Sequence, residues 1–283
     1  MNPPLQLPVS RCFSHDAMNT TFTFRVTDEP PQYDGILRAC CCLLDELEGR
    51  FSRFIESSEI SRINHLRAGE TLYLGEDTHR CLLLAMRARA ETGGLFDVTL
   101  GRSIARLKGG GTCSPGTEEG RLILHPDRPA ITCETPGREL DLGGVGKGYA
   151  LDRILELLTE WEVPGALLGA GDSTLLAYGS DAWPVRLAAA EGEPVILHLQ
   201  NQALSASGTE LQGRHVVHPG DDDGTTRYLS DRVWVTAASA VMADVWSTAL
   251  MLMTREQVEL CLADPTPMHA AYAELAGRVV RLP

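Results

Sequence analysis

The chain has 283 residues, 43 % hydrophobic and 22 % charged, a balance that fits a soluble globular protein with a sizeable core in one large domain or two. Its formal charge of −13, with no Lys/Arg cluster to offset it, excludes a nucleic-acid scaffold and means that an anionic ligand needs a local cation. No run of about 18 apolar residues occurs, so no membrane insertion is expected.

The opening residues MNPPLQLPVSRCF are broken by prolines and lack an apolar core of signal-peptide length. Eight cysteines, at 12, 40, 41, 42, 81, 113, 133 and 261, include no CxxC pair. Cys40-Cys41-Cys42 run into Leu43-Leu44-Asp45-Glu46-Leu47, which reads as buried thiols on a helix rather than metal ligands. A reducing, cytoplasmic location is the expectation.

Thr20-Thr21-Phe22-Thr23-Phe24-Arg25-Val26 alternates as a strand, with Met18-Asn19 just before it. Residues 31–51 fit an amphipathic helix with Leu37, Cys40, Cys41, Leu44 and Leu47 on one side. Residues 51–64 read as a short extended piece and a helix capped near Ser57 or Ser58, with Phe54 in the core by default. Leu72 and Leu74 mark a short strand, and residues 78–91 a helix with Leu82, Leu83, Ala85, Met86 and Ala90 inward. Residues 104–129 are glycine-rich and read as irregular; residues 131–133 form a strand leading into another at Leu140.

The most unusual stretch is Glu139-Leu140-Asp141-Leu142-Gly143-Gly144-Val145-Gly146-Lys147-Gly148-Tyr149-Ala150-Leu151-Asp152. Leu140 and Leu142 alternate, glycines follow, and from Tyr149 the period becomes helical with Ile154, Leu155, Leu157 and Leu158. Such a strand–turn–helix can aim backbone N–H groups and Lys147 at an anion, or can be simply a tight connection. It is not a Walker A loop, because Gly148 stands where Ser or Thr is required.

Strands are expected at 166–179 around a second glycine turn, at 184–189, 194–199 and 204–207, and at Trp234-Val235-Thr236. Asp221-Asp222-Asp223 reads as a solvated turn, with cation attraction the alternative. A long apolar helix begins near Ala237 and carries Asp244 and Thr248 one turn apart on one face. A carboxylate in a helix made for burial needs a partner. A hard cation held by oxygens, such as Mg²⁺, is one answer; a neighbouring backbone group or arginine is the other.

Taken in order, these segments resemble the ApbE-type flavin transferases, the FAD:protein FMN transferases, over residues 17–253. The resemblance is carried by Ala17-Met18-Asn19-Thr20, residues 51–64, Gly94-Leu95-Phe96-Asp97-Val98-Thr99, and Asp141-Leu142-Gly143-Gly144 with Lys147-Gly148-Tyr149-Ala150. It continues through Gly169-Ala170-Gly171-Asp172, Ser207-Gly208, His215-Val216-Val217-His218-Pro219, and Ala243-Asp244 with Thr248.

The resemblance implies an α+β fold, T-fold-like, in which two mixed β-sheet lobes with flanking helices hold FAD in the cleft between them. It implies one domain over 1–283, with an N-terminal extension at 1–16 and a C-terminal segment at 254–283. The implied activity is Mg²⁺-dependent transfer of FMN from FAD to a Thr or Ser hydroxyl of an acceptor protein, releasing AMP. The metal ligands it implies are Asp244, Thr248 and the carbonyl of Gly144. The FAD site it implies includes Met18, Phe54, Asp97, Gly143, Gly144, Lys147, Gly148, Asp152, Ser207 and Gly208. Phe54 takes a position against the isoalloxazine ring. His215 is the candidate for activating the acceptor hydroxyl, and Asp244 is counted with it as catalytic.

Departures fall on the acceptor side. Asn19 replaces a family glycine, Ala170 replaces one glycine of a GGD-like turn, and His218 replaces an aspartate. The alternatives they leave are an FAD-binding protein without transferase activity, serving as flavin store or sensor, and a Mg²⁺-dependent FAD pyrophosphatase.

Overall fold

A computed structural model describes residues 8–27, 32–108, 120–208, 229–263 and 266–283. Its elements are β1 (Ser10–Ala17), β2 (Thr20–Thr27), α1 (Tyr33–Phe51), α2 (Glu59–Asn64), β3 (Thr71–Tyr73), α3 (Glu76–Glu91) and α4 (Gly101–Lys108). There follow β4 (Arg121–His125), β5 (Ala130–Thr135), α5 (Gly146–Glu160), β6 (Gly165–Ala170), β7 (Thr174–Gly179), β8 (Trp183–Leu187), β9 (Val195–Leu199) and β10 (Gln202–Gly208). The chain continues through β11 (Arg232–Ala237), α6 (Ala240–Leu252), α7 (Arg255–Ala263), β12 (Met268–Leu275) and β13 (Arg278–Arg281).

The expected α+β class holds, with three sheets among the described residues. An eight-stranded sheet runs β1-β2-β6-β7-β10-β11-β12-β13, a three-stranded one β3-β5-β4, and a two-stranded one β8-β9. All their ladders are antiparallel; the parallel pairing is an isolated bridge between Leu100 and Glu139. β1 starts within residues 1–16, and β12 and β13 lie within 254–283, all as members of the large sheet.

Burial of the large sheet on both faces follows from alternation. On β11, Val233, Val235 and Ala237 join the core under the helices, while Trp234 faces the other way with Trp183, Leu187, Leu199, Leu204 and Tyr272. The β8–β9 hairpin covers this second face, and α5 and α6 lie on the first. On β10 the alternation puts Ala203 on the helix side and Leu204 on the hairpin side.

Several expectations change. Leu140 and Leu142 are buried as alternation requires, at 3 % and 4 % exposure, yet they form no strand. The Asn64 side-chain amide substitutes for a neighbouring strand: it accepts from the Leu140 N–H at 2.7 Å and donates to the Leu140 carbonyl at 3.0 Å. Within the stretch expected to be irregular, residues 104–108 belong to α4 and Arg121–His125 form β4. On α3, Met86 and Ala90 face outward and Cys81 and Ala88 take the inward positions, because the buried stripe centres on Ala85 and a helix turning about 100° per residue carries Met86 and Ala90 out of it. Of the consecutive cysteines Cys40 is buried, Cys41 partly so and Cys42 exposed, as a rotation of about 100° per helical residue demands. Among the described residues no cysteine is in a disulfide. Phe54 is 88 % exposed and outside the core. No described helix is long and apolar enough to cross a membrane.

Candidate active site

The site begins with a match of two repeats. Two residues along a strand cover about 6.8 Å and four along a helix about 6 Å, so β10 and α6 meet in step. Ser205 and Ser207 project from the helix-facing side of β10 towards Asp244 and Thr248. Ser205 Oγ donates to Asp244 Oδ1 at 2.5 Å, and Ser207 Oγ lies 3.1 Å from Thr248 Oγ1. Thr174, paired with Ser205 across β7 and β10, donates its hydroxyl to the same Asp244 oxygen at 2.6 Å.

The other oxygen of Asp244 accepts the backbone N–H of Gly148 at 2.9 Å. Only glycine fits there: a Cβ at 148 would stand 2.7 Å from the Ala240 carbonyl oxygen and 2.8 Å from Asp244 Oδ2. Gly148 therefore lets α5 and α6 touch. Asp152, one turn further along α5, tightens the same contact by accepting the N–H groups of Ala240 at 2.8 Å and Val241 at 3.0 Å. Ser239 completes the α6 cap by accepting from the Met242 N–H.

Asp244 is 6 % exposed. Burial pushes its carboxyl up from the ordinary range, opposed by the charge of Lys147 and by its three hydrogen-bond donors. Lys147 itself reaches Ser173 Oγ at 2.8 Å. Thus the partner of the buried carboxylate is a set of hydroxyls and one backbone N–H, with a lysine charge near by.

These groups open into a cavity of about 350 Å³. Of the expected site residues, Asp97, Gly143, Gly144, Lys147, Ser207, Gly208, Asp244 and Thr248 line it. Met18, Phe54, Gly148 and Asp152 do not. Met18 sits in the two-residue β1–β2 turn with φ +51°, its N–H donating to Glu48 at 2.9 Å. Gly148 and Asp152 act from behind the cavity, through Asp244 and α6. Asp97 lines the wall, but its carboxylate is 4 % exposed and already holds Arg89 at 2.8 Å and the Thr99 N–H and hydroxyl. His215 and His218, with Asp221–Asp223, lie outside the described residues.

The cavity also recruits residues outside the expected ligand contacts: Asp141, Ser173, Arg186, Ser205 and Arg232, with an apolar wall that includes Phe96 and Ile104. The two-residue period of a strand is the signal that would have joined Ser205 to Ser207; Arg186 and Arg232 come from β8 and β11 and carried no local signal. The two departures within the described residues are accommodated. Asn19 takes φ +56° in the hairpin turn, where asparagine is tolerated, and Ala170 is fully buried at the end of β6.

The fold that carries this cavity, an antiparallel sheet backed by α5 and α6, is shared with solved flavin transferases. The ApbE protein of Vibrio cholerae matches with a TM-score of 0.82 and 18 % identity over 97 % of each chain. The apo flavinyl transferase ApbE of Pseudomonas stutzeri matches with a TM-score of 0.82 and 21 % identity over 99 % of this chain and 96 % of that one. The ApbE family model matches residues 18–272, and the chain belongs to that family. The FAD:protein FMN transferase of Buchnera aphidicola is 22 % identical over 77 % of this chain and 76 % of its own, and that of Chlamydia muridarum 26 % identical over 77 % and 76 %.

Proposed function

We propose that this chain is a Mg²⁺-dependent FAD:protein FMN transferase, which moves FMN from FAD to a Thr or Ser hydroxyl of an acceptor protein and releases AMP. The supporting observation is the convergence of Lys147, the Gly143-Gly144 loop, Asp244 and Thr248 on one cavity in a chain of the ApbE family.

The donor set fits a hard cation. It consists of oxygens, with one buried carboxylate and one adjacent hydroxyl. Among the described residues no group of three or more His, Cys, Asp or Glu side chains is placed to hold a metal, so the diphosphate of the substrate would complete the charge balance. Asp244, Thr248 and the Gly144 carbonyl would hold Mg²⁺, which when bound neutralises charge on non-bridging phosphate oxygens.

The rest is the work of this chain's own residues. Lys147 supplies a cation at the diphosphate in a protein of charge −13. The first turn of α5 contains no acidic residue and has no side-chain cap, which leaves the positive end of the helix facing the glycine loop. The acceptor oxygen forms a bond to the FMN phosphorus, the diphosphate bridge breaks on that phosphorus, and AMP departs with the bridging oxygen. The hydroxyl proton goes to a base, for which His215 is our candidate, histidine being the side chain suited to proton transfer near neutral pH. Phe54, exposed beside Arg53, is a surface aromatic available to a flavin ring arriving from solvent.

Incubation with FAD and Mg²⁺, with and without a candidate acceptor domain, tests this reading. Covalent FMN on the acceptor with stoichiometric AMP supports it. AMP without any acceptor identifies a pyrophosphatase, and bound FAD with neither product identifies a flavin store.

A further inference from the structure

We propose that Arg53 is a positioning residue for the phosphate-facing glycine loop, setting the backbone of Gly143 and Gly144 through a shared carboxylate. The inference rests on the functional reading above for its ligand, but the contacts stand without it.

Arg53 lies in the turn after α1, far in sequence from the loop. Its guanidinium donates to the Gly101 carbonyl at 2.7 Å, to Glu139 Oε2 at 2.8 Å and to Asp141 Oδ2 at 3.2 Å. Asp141 then uses its second oxygen, Oδ1, to accept the Gly143 N–H at 2.8 Å. One carboxylate thus links a fixed cation to the first glycine of the loop. The side chains are largely enclosed, with exposures of 14 % for Arg53 and 15 % for Asp141, so water competes weakly for these contacts.

The surroundings are shaped for the guanidinium. A Cβ on Gly101 would stand 2.8 Å from Arg53 Nη1, so glycine there leaves room for the fork. The backbone segments it joins are already aligned by Gly101 N–H to Glu139 O at 2.9 Å and Asp141 N–H to Val98 O at 2.8 Å. Glu139 is also held by Arg102 at 3.0 Å, whereas Asp141 has Arg53 as its cation in the structure. Loss of Arg53 therefore falls mainly on Asp141 and the loop. Gly143 and Gly144 have broad backbone freedom, and a loop that must be ordered on binding loses affinity to that ordering.

The test uses the full chain with Arg53→Gln, Arg53→Lys, Asp141→Asn and the double variant Arg53→Gln/Asp141→Asn. Amide hydrogen exchange in ligand-free protein reports on residues 141–146, and flavin fluorescence titration reports FAD affinity. Arg53→Gln is expected to speed exchange at 141–146, with β10 and α6 unchanged, and to weaken FAD binding about tenfold, the value of one charged hydrogen bond. Arg53→Lys, which keeps the charge but not the fork, should recover part of both effects. The double variant should lose no more than Arg53→Gln alone, since both remove the same link. Unchanged exchange at 141–146 overturns the proposal, as does a loosened loop with wild-type FAD affinity. If wild-type protein binds no FAD, the functional reading fails by itself, and the exchange and double-variant comparison still decide whether Arg53 sets the loop.

Discussion

The Gly148 N–H donates to Asp244 Oδ2 at 2.9 Å, across the contact between α5 and α6. This bond joins the two most distinctive segments of the sequence, which lie 96 residues apart. It also explains a glycine at the second position after Gly146 in a helix, where propensity argues against it. The residue has no room for a side chain and carries a donor that a buried carboxylate needs.

Replacing Gly148 with alanine should therefore be costly. Its Cβ would enter the Ala240 carbonyl and the Asp244 carboxylate at under 3 Å, and overpacking of this kind destabilises by roughly 1–3 kcal/mol. Gly49→Ala is the contrast: it lies in α1 with nothing within 4 Å of an added Cβ, and should stabilise by about 0.5–1 kcal/mol. Urea denaturation of the two variants checks the opposite signs.

Asp244→Asn separates charge from packing. An asparagine can turn its oxygen to the Gly148 N–H and its amide to Thr174 and Ser205, whose hydroxyls accept as readily as they donate. The fold should survive, with a melting temperature within a few degrees of wild type. AMP release should fall by at least about a hundredfold, as when a charged group at a phosphoryl-transfer centre is removed. Chromatographic assay of AMP at saturating FAD and Mg²⁺ measures it; wild-type turnover in this variant would remove Asp244 from the metal assignment.

Asp152 gives the stability a pH dependence of known sign. Burial pushes its carboxyl up to about 7 from 3.8, against the pull of the two α6 N–H groups. Folded protein thus keeps a proton that unfolded chain releases near 3.8. The resulting stabilisation is full below that value and is lost as pH rises from 3.8 through about 7. Asp152→Asn removes this titration. The melting temperature of wild type minus that of the variant should fall steadily from pH 4 to pH 8. A flat difference, or one that rises, would mean that the helix cap outweighs burial.

What the sequence disclosed, and what it did not, divides along the range of the interactions. Asp244 and Thr248 were legible because a carboxylate is out of place in an apolar helix, and Lys147 because it stands among glycines. The start of α2 was legible from capping chemistry, with Ser58 the cap, whereas α6 begins at Ala240 under a Ser239 cap, three residues later than the apolar run suggested. Leu140–Leu142 misled because burial alternates there for a reason unrelated to a ladder, namely the distant Asn64 amide. Met86 and Phe54 misled because apolar character alone does not choose a face. The family resemblance put Asp152 and Gly148 among the FAD contacts; neither lines the cavity, and both hold α6 and Asp244 from behind it, a relation only the fold displays.

Arg186 was invisible in the sequence for the same reason: its meaning comes from where β8 is folded back over the sheet. It lines the cavity, and among the described residues its guanidinium makes no ion pair or hydrogen bond. An unpaired guanidinium facing a cavity in a protein of charge −13 is suited to an anionic part of the ligand. Arg186→Ala should leave the melting temperature unchanged, since the side chain is exposed and holds nothing else. It should weaken FAD binding about tenfold, as loss of one charge-assisted hydrogen bond does, and reduce the dependence of affinity on salt. Riboflavin, which lacks phosphate, should bind wild type and variant alike. Equal losses for FAD and riboflavin would place the guanidinium at the flavin ring instead, and no loss for either would leave Lys147 to meet the diphosphate without it.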